Sequence, residues 1–202
     1  MTPITTIIFD LSEVYLTGLK ETEIYLSKLW GISEEEFYKK MHGKELNDYF
    51  HGKTTEDELI EAVLKNNSWP IGKQEFKELI RQNFKEVEGT REIIEKLKEK
   101  GFRLGLLSIH GKEWVEHLEK KFDYHKLFDS ILYSFDIEVS KPDKQAYIHI
   151  LERLKVKPEE CLFIDDCSKN VRAAEELGIK GVHFKNSSQL KSELEKMGIA
   201  FS

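Results

Sequence analysis

Along most of the chain, short apolar and β-branched runs alternate with stretches whose apolar side chains recur every three or four positions. A parallel sheet wrapped by helices produces this alternation, because each strand must be followed by a crossover before the next strand can join in the same direction. The candidate strands are residues 5–9, 102–107, 130–133, 161–164 and 181–184. Between them, Ile93, Ile94 and Leu97 mark a helix stopped by Gly101, and Tyr147, Ile150, Leu151 and Leu154 recur at i, i+3, i+4 and i+7. A further helix is expected over residues 168–177, ended by Gly178.

Residues 16–84 break the alternation. They carry successive helical patterns, among them Tyr25, Leu26, Leu29 and Trp30, then Leu59, Ile60, Val63 and Leu64, then Phe76, Leu79 and Ile80. Gly31, Gly52, Pro70 and Gly72 punctuate them. This is too much helix for one crossover, so residues 16–84 are expected to form an inserted all-helical subdomain above the carboxyl edge of the sheet. The α/β core would then comprise residues 1–15 and 85–202.

Composition narrows the function classes. The chain has 202 residues and a formal net charge of −6, whereas a nucleic-acid or anionic-membrane binder would carry a basic excess. Apolar residues make up 40%, enough for a core, and 12 glycines with 4 prolines exclude a disordered or collagen-like chain. No apolar run is long enough to span a bilayer, and Met1-Thr2-Pro3-Ile4 does not resemble a signal peptide. Cys161 and Cys167 alone form neither a four-ligand zinc site nor a disulfide framework. A soluble, cytoplasmic protein is expected, either monomer or homodimer.

In open parallel sheets, ligands bind beyond the carboxyl ends of the strands. The residues at those ends are Asp10, Ser108 and the pair Asp165-Asp166, with Lys141 in the loop after the third strand. Hard oxygen ligands in small number suit Mg²⁺, which keeps several waters and shares its shell with a substrate phosphate. A lysine nearby would balance the negative charge of carboxylates and phosphate together.

The runs Ile7-Ile8-Phe9-Asp10-Leu11-Ser12-Glu13-Val14, Leu106-Leu107-Ser108, Lys141-Pro142 and Phe163-Ile164-Asp165-Asp166 followed by Asn170 resemble, in order and interval, the four motifs of the haloacid dehalogenase-like hydrolases. The insertion after the first motif is similar to the helical cap of that family's subfamily I, and residues 43–59 are similar to caps of its small sugar-phosphate phosphatases. The resemblance implies a Rossmann-like core and an Mg²⁺-dependent phosphatase acting on a small phosphorylated metabolite through an aspartyl-phosphate. It makes Asp10 the nucleophile, with Asp10, Asp165 and the backbone carbonyl of Ser12 as metal ligands and Asp166 bound directly or through water. Ser108 would hydrogen-bond the phosphoryl group and Lys141 would bridge phosphate and Asp10. Asn170 would cap or orient the Asp165-Asp166 loop.

Two positions depart from the pattern. The family's phosphatases carry an aspartate two residues after the nucleophile, acting as general acid and base, where this chain has Ser12. A serine hydroxyl does neither at neutral pH. Ile109-His110 stands where asparagine is common, and either His110 or Glu13 is a candidate substitute acid, His110 also contacting substrate. His42, Lys44, Asn47 and His51 offer polar reach from the insertion toward substrate, and Cys167 reads as a small packing residue. Halide displacement fits less well, since that branch has a tyrosine at the position of Ser12. The alternative from another class is a catalytically weak relative that binds a phosphorylated ligand or a protein.

Overall fold

The computed structural model describes residues 2–199. Its sheet consists of β1 (Thr6–Phe9), β2 (Arg103–Ser108), β3 (Ser130–Tyr133), β4 (Cys161–Asp165) and β5 (Lys180–His183). All four neighbouring pairs are parallel, in the order β3-β2-β1-β4-β5. The strand at the centre is therefore the one that leads directly into Asp10. In register, Phe9 lies beside Leu106 on one side and Ile164 on the other, which brings the ends of β1, β2 and β4 together.

The alternation expected of strands covered on both faces is observed. Ile7 and Phe9 pack into one apolar layer with Leu104, Leu106, Leu162 and Ile164, while Ile8 joins Leu132 and Phe163 in the other. The first layer is closed by α6 (Thr90–Glu99), α7 (Lys112–Phe122) and α11 (Ser187–Lys196), through residues such as Ile94, Trp114 and Leu190. The second is closed by α9 (Lys144–Leu154) and α10 (Ser168–Glu175), through Tyr147, Ile150 and Ala174. Gly105 lets α9 approach β2, because a Cβ there would come within 2.8 Å of Leu154 Cδ1. A single helical turn, α8 (Ser134–Ile137), follows β3. Among the described residues no helix is long and apolar enough to cross a membrane.

Between β1 and β2 lie α1 (Lys20–Trp30), α2 (Glu34–Met41), α3 (Lys44–Phe50), α4 (Glu56–Asn67) and α5 (Lys73–Asn83). Their boundaries follow local chemistry. Ser33 caps α2 by accepting from Glu36 N, Thr55 and Glu58 form a reciprocal capping box on α4, and Gly31 ends α1 at positive φ. The two connections to the core run side by side: Thr17 N donates to Lys85 O at 2.8 Å and Val87 N to Tyr15 O at 2.9 Å. The α1 pattern is only half right as a guide to burial. Leu26 is buried, but Tyr25 and Leu29 face solvent at 51% and 58% exposure.

The helices of the insertion meet the core through an aromatic cluster. His110, just before α7, sits within 6.4 Å of Phe50, 6.0 Å of Phe84 and 5.9 Å of Trp114, measured between ring centroids. Trp114 Nε1 also donates to Glu56 Oε1 at 2.8 Å, and Glu56 is itself paired with Arg81 and Lys77. Tyr49 of α3 lies flat against the backbone of Gly111: a Cβ at that position would fall 1.9 Å from the ring. Gly111→Ala is accordingly expected to destabilise the protein by roughly 1–3 kcal/mol through overpacking, seen as a lower urea midpoint; an unchanged midpoint would contradict this packing. Burial pushes the His110 imidazole down to about 4 from 6.5, so the folded state binds fewer protons there than the unfolded state. The stability it contributes is fully present above the unfolded value and is lost as pH falls from 6.5 toward about 4. Between pH 7 and pH 5 wild type should lose about 2 kcal/mol more than His110→Phe; parallel pH profiles would show that His110 is not held neutral.

Candidate active site

Asp10 follows β1, while Ser108 and Asp165 are the last residues of β2 and β4, one residue further into the strands than expected. Backbone bonds fix these tips: Asp10 N donates to Ile164 O at 2.9 Å, and Phe184 N donates to Asp165 O at 2.9 Å. Asp10 and Asp165 are buried and Asp166 is partly open. One carboxylate oxygen from each of Asp10, Asp165 and Asp166 lies within 4.8 Å of the others.

Lys141 enters this group from the loop before α9. Its buried ammonium donates to Asp10 Oδ1 at 2.8 Å and to Asp165 Oδ2 at 2.7 Å. Burial alone would pull its pKa down, but the two carboxylates outweigh burial and hold it above the ordinary lysine value. Asp10 is in the opposite position. Burial drives its carboxyl above the usual range, Lys141 draws it back, and the nearby Asp165 charge pushes it up again. Asp166 is raised by burial and then by Asp165. These carboxylates are short of positive charge, which a divalent cation on the exposed side would supply.

Asp165 is held by two donors besides Lys141. Cys167 N reaches Oδ1 at 2.8 Å, and the Asn170 amide lies 3.1 Å from both oxygens. Asn170 is anchored in turn by Tyr147, whose hydroxyl donates to Asn170 O at 2.8 Å. Asn170 therefore orients the carboxylate rather than merely capping a helix, and Cys167 contributes its backbone. Ser108 Oγ is buried with no hydrogen-bond partner among the described residues. A buried hydroxyl without a partner is costly in a core, and at the end of β2, beside the strand that leads into Asp10, it is a donor that an oxyanion such as phosphoryl would satisfy. The site thus fits a hard divalent ion and a phosphate together.

Above the tips lies a cavity of about 610 Å³, lined by Asp10, Ser12 and Asp166 below and by residues of α1, α2, α3 and α7 above. Ser12 occupies the acid/base position and offers only its hydroxyl. Glu13 also lines the cavity, but its Oε1 accepts from Gly18 N at 2.9 Å. His110 lines it too, yet burial keeps the imidazole neutral at physiological pH, so the expectation of a proton donor there is corrected. α7 begins only at Lys112, and His110 is a core residue of the aromatic cluster.

Of the polar residues proposed in the insertion, His42 alone lines the cavity. Its Nε2 donates to Glu23, and its ring stacks on Tyr38 with centroids 3.9 Å apart. Lys44 is a correction: its side chain is 83% exposed and paired with Asp48 one turn along α3, outside the cavity lining. Asn47 is exposed, and its carbonyl accepts from His51 Nδ1 at 2.7 Å. His51 Nε2 accepts from Ser140 at 3.1 Å, next to Lys141 in the chain. Glu23, Tyr38, Phe50 and Trp114 line the cavity and were not anticipated. The four-residue spacing of Tyr38 and His42 on one helix face was the available signal.

The sequence profile of the haloacid dehalogenase-like hydrolases matches residues 7–184. A phosphorylated carbohydrates phosphatase of Thermotoga maritima is 34% identical over 112 residues, covering 55% of this chain and 50% of that protein. Flavin mononucleotide hydrolase 1 of Arabidopsis thaliana is 29% identical over 127 residues, 63% of this chain and 51% of that one. The chain therefore spans about half the length of these relatives. A solved HAD family enzyme of Bacteroides thetaiotaomicron superimposes with a TM-score of 0.79 over 94% of this chain and 98% of that one, at 22% identity. Its complex with magnesium and inorganic phosphate gives 0.76 over 91% and 95%, at 21% identity. With the profile covering all four motifs and the insertion, the chain belongs to the haloacid dehalogenase-like hydrolases.

Proposed function

We propose that the protein is an Mg²⁺-dependent phosphatase of small phosphorylated metabolites, with Asp10 as nucleophile. The observation that carries this reading is the juxtaposition of three carboxylates, one buried lysine and an unpartnered serine hydroxyl at adjacent strand ends. The names of the Thermotoga and Arabidopsis relatives, one for phosphorylated carbohydrates and one for flavin mononucleotide, support a phosphate ester, and a sugar phosphate is the substrate class proposed.

Asp10, Asp165, Asp166 and the Ser12 carbonyl would hold the ion. When bound, Mg²⁺ supplies the positive charge that lets an anionic carboxylate approach an anionic phosphoryl group. Lys141 supplies a second, fixed charge to the same oxygens, and Ser108 donates to a phosphoryl oxygen. An Asp10 oxygen forms a bond to phosphorus as the bond to the leaving oxygen breaks. The leaving oxygen departs with the electron pair and takes a proton from water, since neither Ser12 nor neutral His110 provides one. Water then attacks phosphorus in the aspartyl-phosphate, restoring the Asp10 carboxylate and releasing inorganic phosphate. Helices α1 to α3 would form the cap over the leaving group.

Phosphate release from a panel of monoesters tests this. Asp10→Asn is expected to fall to background, chelation of divalent ions to abolish turnover until Mg²⁺ is restored, and Ser108→Ala to cost ~10²–10³-fold in kcat. Turnover retained in Asp10→Asn would overturn the reading. Ser12→Asp, which restores a proton donor, should raise kcat by up to ~10²-fold; an unchanged rate would mean that proton transfer to the leaving oxygen does not limit the wild-type enzyme. Ligand-induced stabilisation without turnover in any form would favour the binding-module alternative.

A further inference from the structure

The cavity beyond Asp10 has walls of a definite character. About 610 Å³ is within the range, about 300–1,000 Å³, of sites that enclose a whole small molecule rather than its phosphate alone. Leu19 just before α1, Ile24 of α1, Phe50 of α3, and Ile109 and Trp114 of the core make its sides apolar. Tyr38 stands in the lining 52% exposed, its ring nearly parallel to that of His42 at an interplanar angle of 16°. A large aromatic left half in solvent beside a cavity is the arrangement onto which a flat ring can stack.

The charge of the walls adds a second constraint. Apart from Asp10 and Asp166 on the floor, the lining holds Glu13, Glu23, Glu34 and Glu35 against a single lysine, Lys20. Glu13 and Glu23 are engaged by Gly18 N and His42, and Glu35 by Lys39, whereas Glu34 has no ion pair among the described residues. Lys20 is the one lysine in these walls and stands against four glutamates, so the net field there disfavours a second phosphate or a carboxylate.

Resting on the phosphatase reading above but replacing its sugar-phosphate class, we propose that the preferred substrate is a monoester whose leaving group carries an aromatic or other flat apolar body and no second anionic group. The phosphate binds at the strand tips, and the flat body lies between the apolar sides and the Tyr38–His42 pair. Plain sugar phosphates leave the apolar walls unfilled, and bisphosphates place charge against carboxylates.

The test compares three esters that share one reacting group: a nucleoside 5′-monophosphate, ribose 5-phosphate and ribose 1,5-bisphosphate, with the phosphate of an aryl-substituted primary alcohol as a second aromatic probe. At least one aromatic ester should exceed ribose 5-phosphate in kcat/KM by roughly tenfold or more, mainly through KM, and the bisphosphate should be the poorest. Tyr38→Ala should narrow the aromatic preference and Tyr38→Phe should restore it, which a merely structural role for Tyr38 would not produce. If ribose 5-phosphate or the bisphosphate matches or surpasses both aromatic esters, this proposal is overturned while the phosphatase reading stands. If no ester is hydrolysed with Mg²⁺ present, both fall.

Discussion

Two buried carboxylates cannot face each other across a few ångströms and both remain ionised unless something positive stands between them. In this protein Lys141 supplies part of that charge, within 2.8 Å of Asp10 and 2.7 Å of Asp165, while burial still leaves the Asp10 carboxyl raised to about 8. The ammonium and the carboxylates depend on one another. Burial disfavours charge on Asp10 and on Lys141 alike, and together the groups keep a central carboxylate, a positively charged clamp and a carboxylate face open to a cation in a space shielded from water. The fold serves this arrangement. The central strand delivers Asp10, its neighbour β4 delivers Asp165, and Asn170, itself tethered by Tyr147, keeps the Asp165 carboxylate aimed at the lysine. The lysine has only one place to go.

How the helical insertion is fixed bears on what reaches that centre. The aromatic cluster of Phe50, Phe84, His110 and Trp114 and the flat contact of Tyr49 with Gly111 hold α3 close to the core. Glu56, almost fully buried, takes the Trp114 indole N–H together with Arg81 and Lys77. Lys77 and Arg81 belong to α5 and stay with Glu56, whereas Trp114 belongs to α7, so displacing α4 from α7 takes a hydrogen-bond donor from a buried carboxylate. Ser134 adds a smaller tie, donating to Phe50 O at 2.5 Å while accepting from His110 N at 3.2 Å. The two connections pair antiparallel at Leu16 and Glu86. Helices α1 and α2 carry Glu23 and Tyr38, and His42 caps the end of α2.

Most of the sheet and the carboxylate–lysine group at its strand ends were legible in the chain because they rest on local, categorical signals. An apolar run ending in aspartate reads the same in any context, and Asp10, Lys141 and Asp165 do meet, with Ser108 at the end of the neighbouring strand. What could not be read were properties set by neighbours distant in sequence. His110 looks like a titratable donor until Phe50, Phe84 and Trp114 are seen around it. Lys44 looks available until its i,i+4 partner Asp48 and its solvent-facing side of α3 are placed. Tyr25 and Leu29 fit a helical apolar stripe, yet the face they form has no counterpart to bury it. The cavity lining was invisible for the same reason, since Trp114 and Tyr38 lie more than seventy positions apart.

The central claim is that Asp10 carries the phosphoryl group during turnover. Rapid acid quenching of the Mg²⁺-loaded enzyme with a radiolabelled monoester, followed by peptide mapping, examines it directly. The account predicts acid-stable, hydroxylamine-labile label on the peptide containing Asp10 and on no other. Label on a different residue, or steady turnover with none on Asp10, would contradict it.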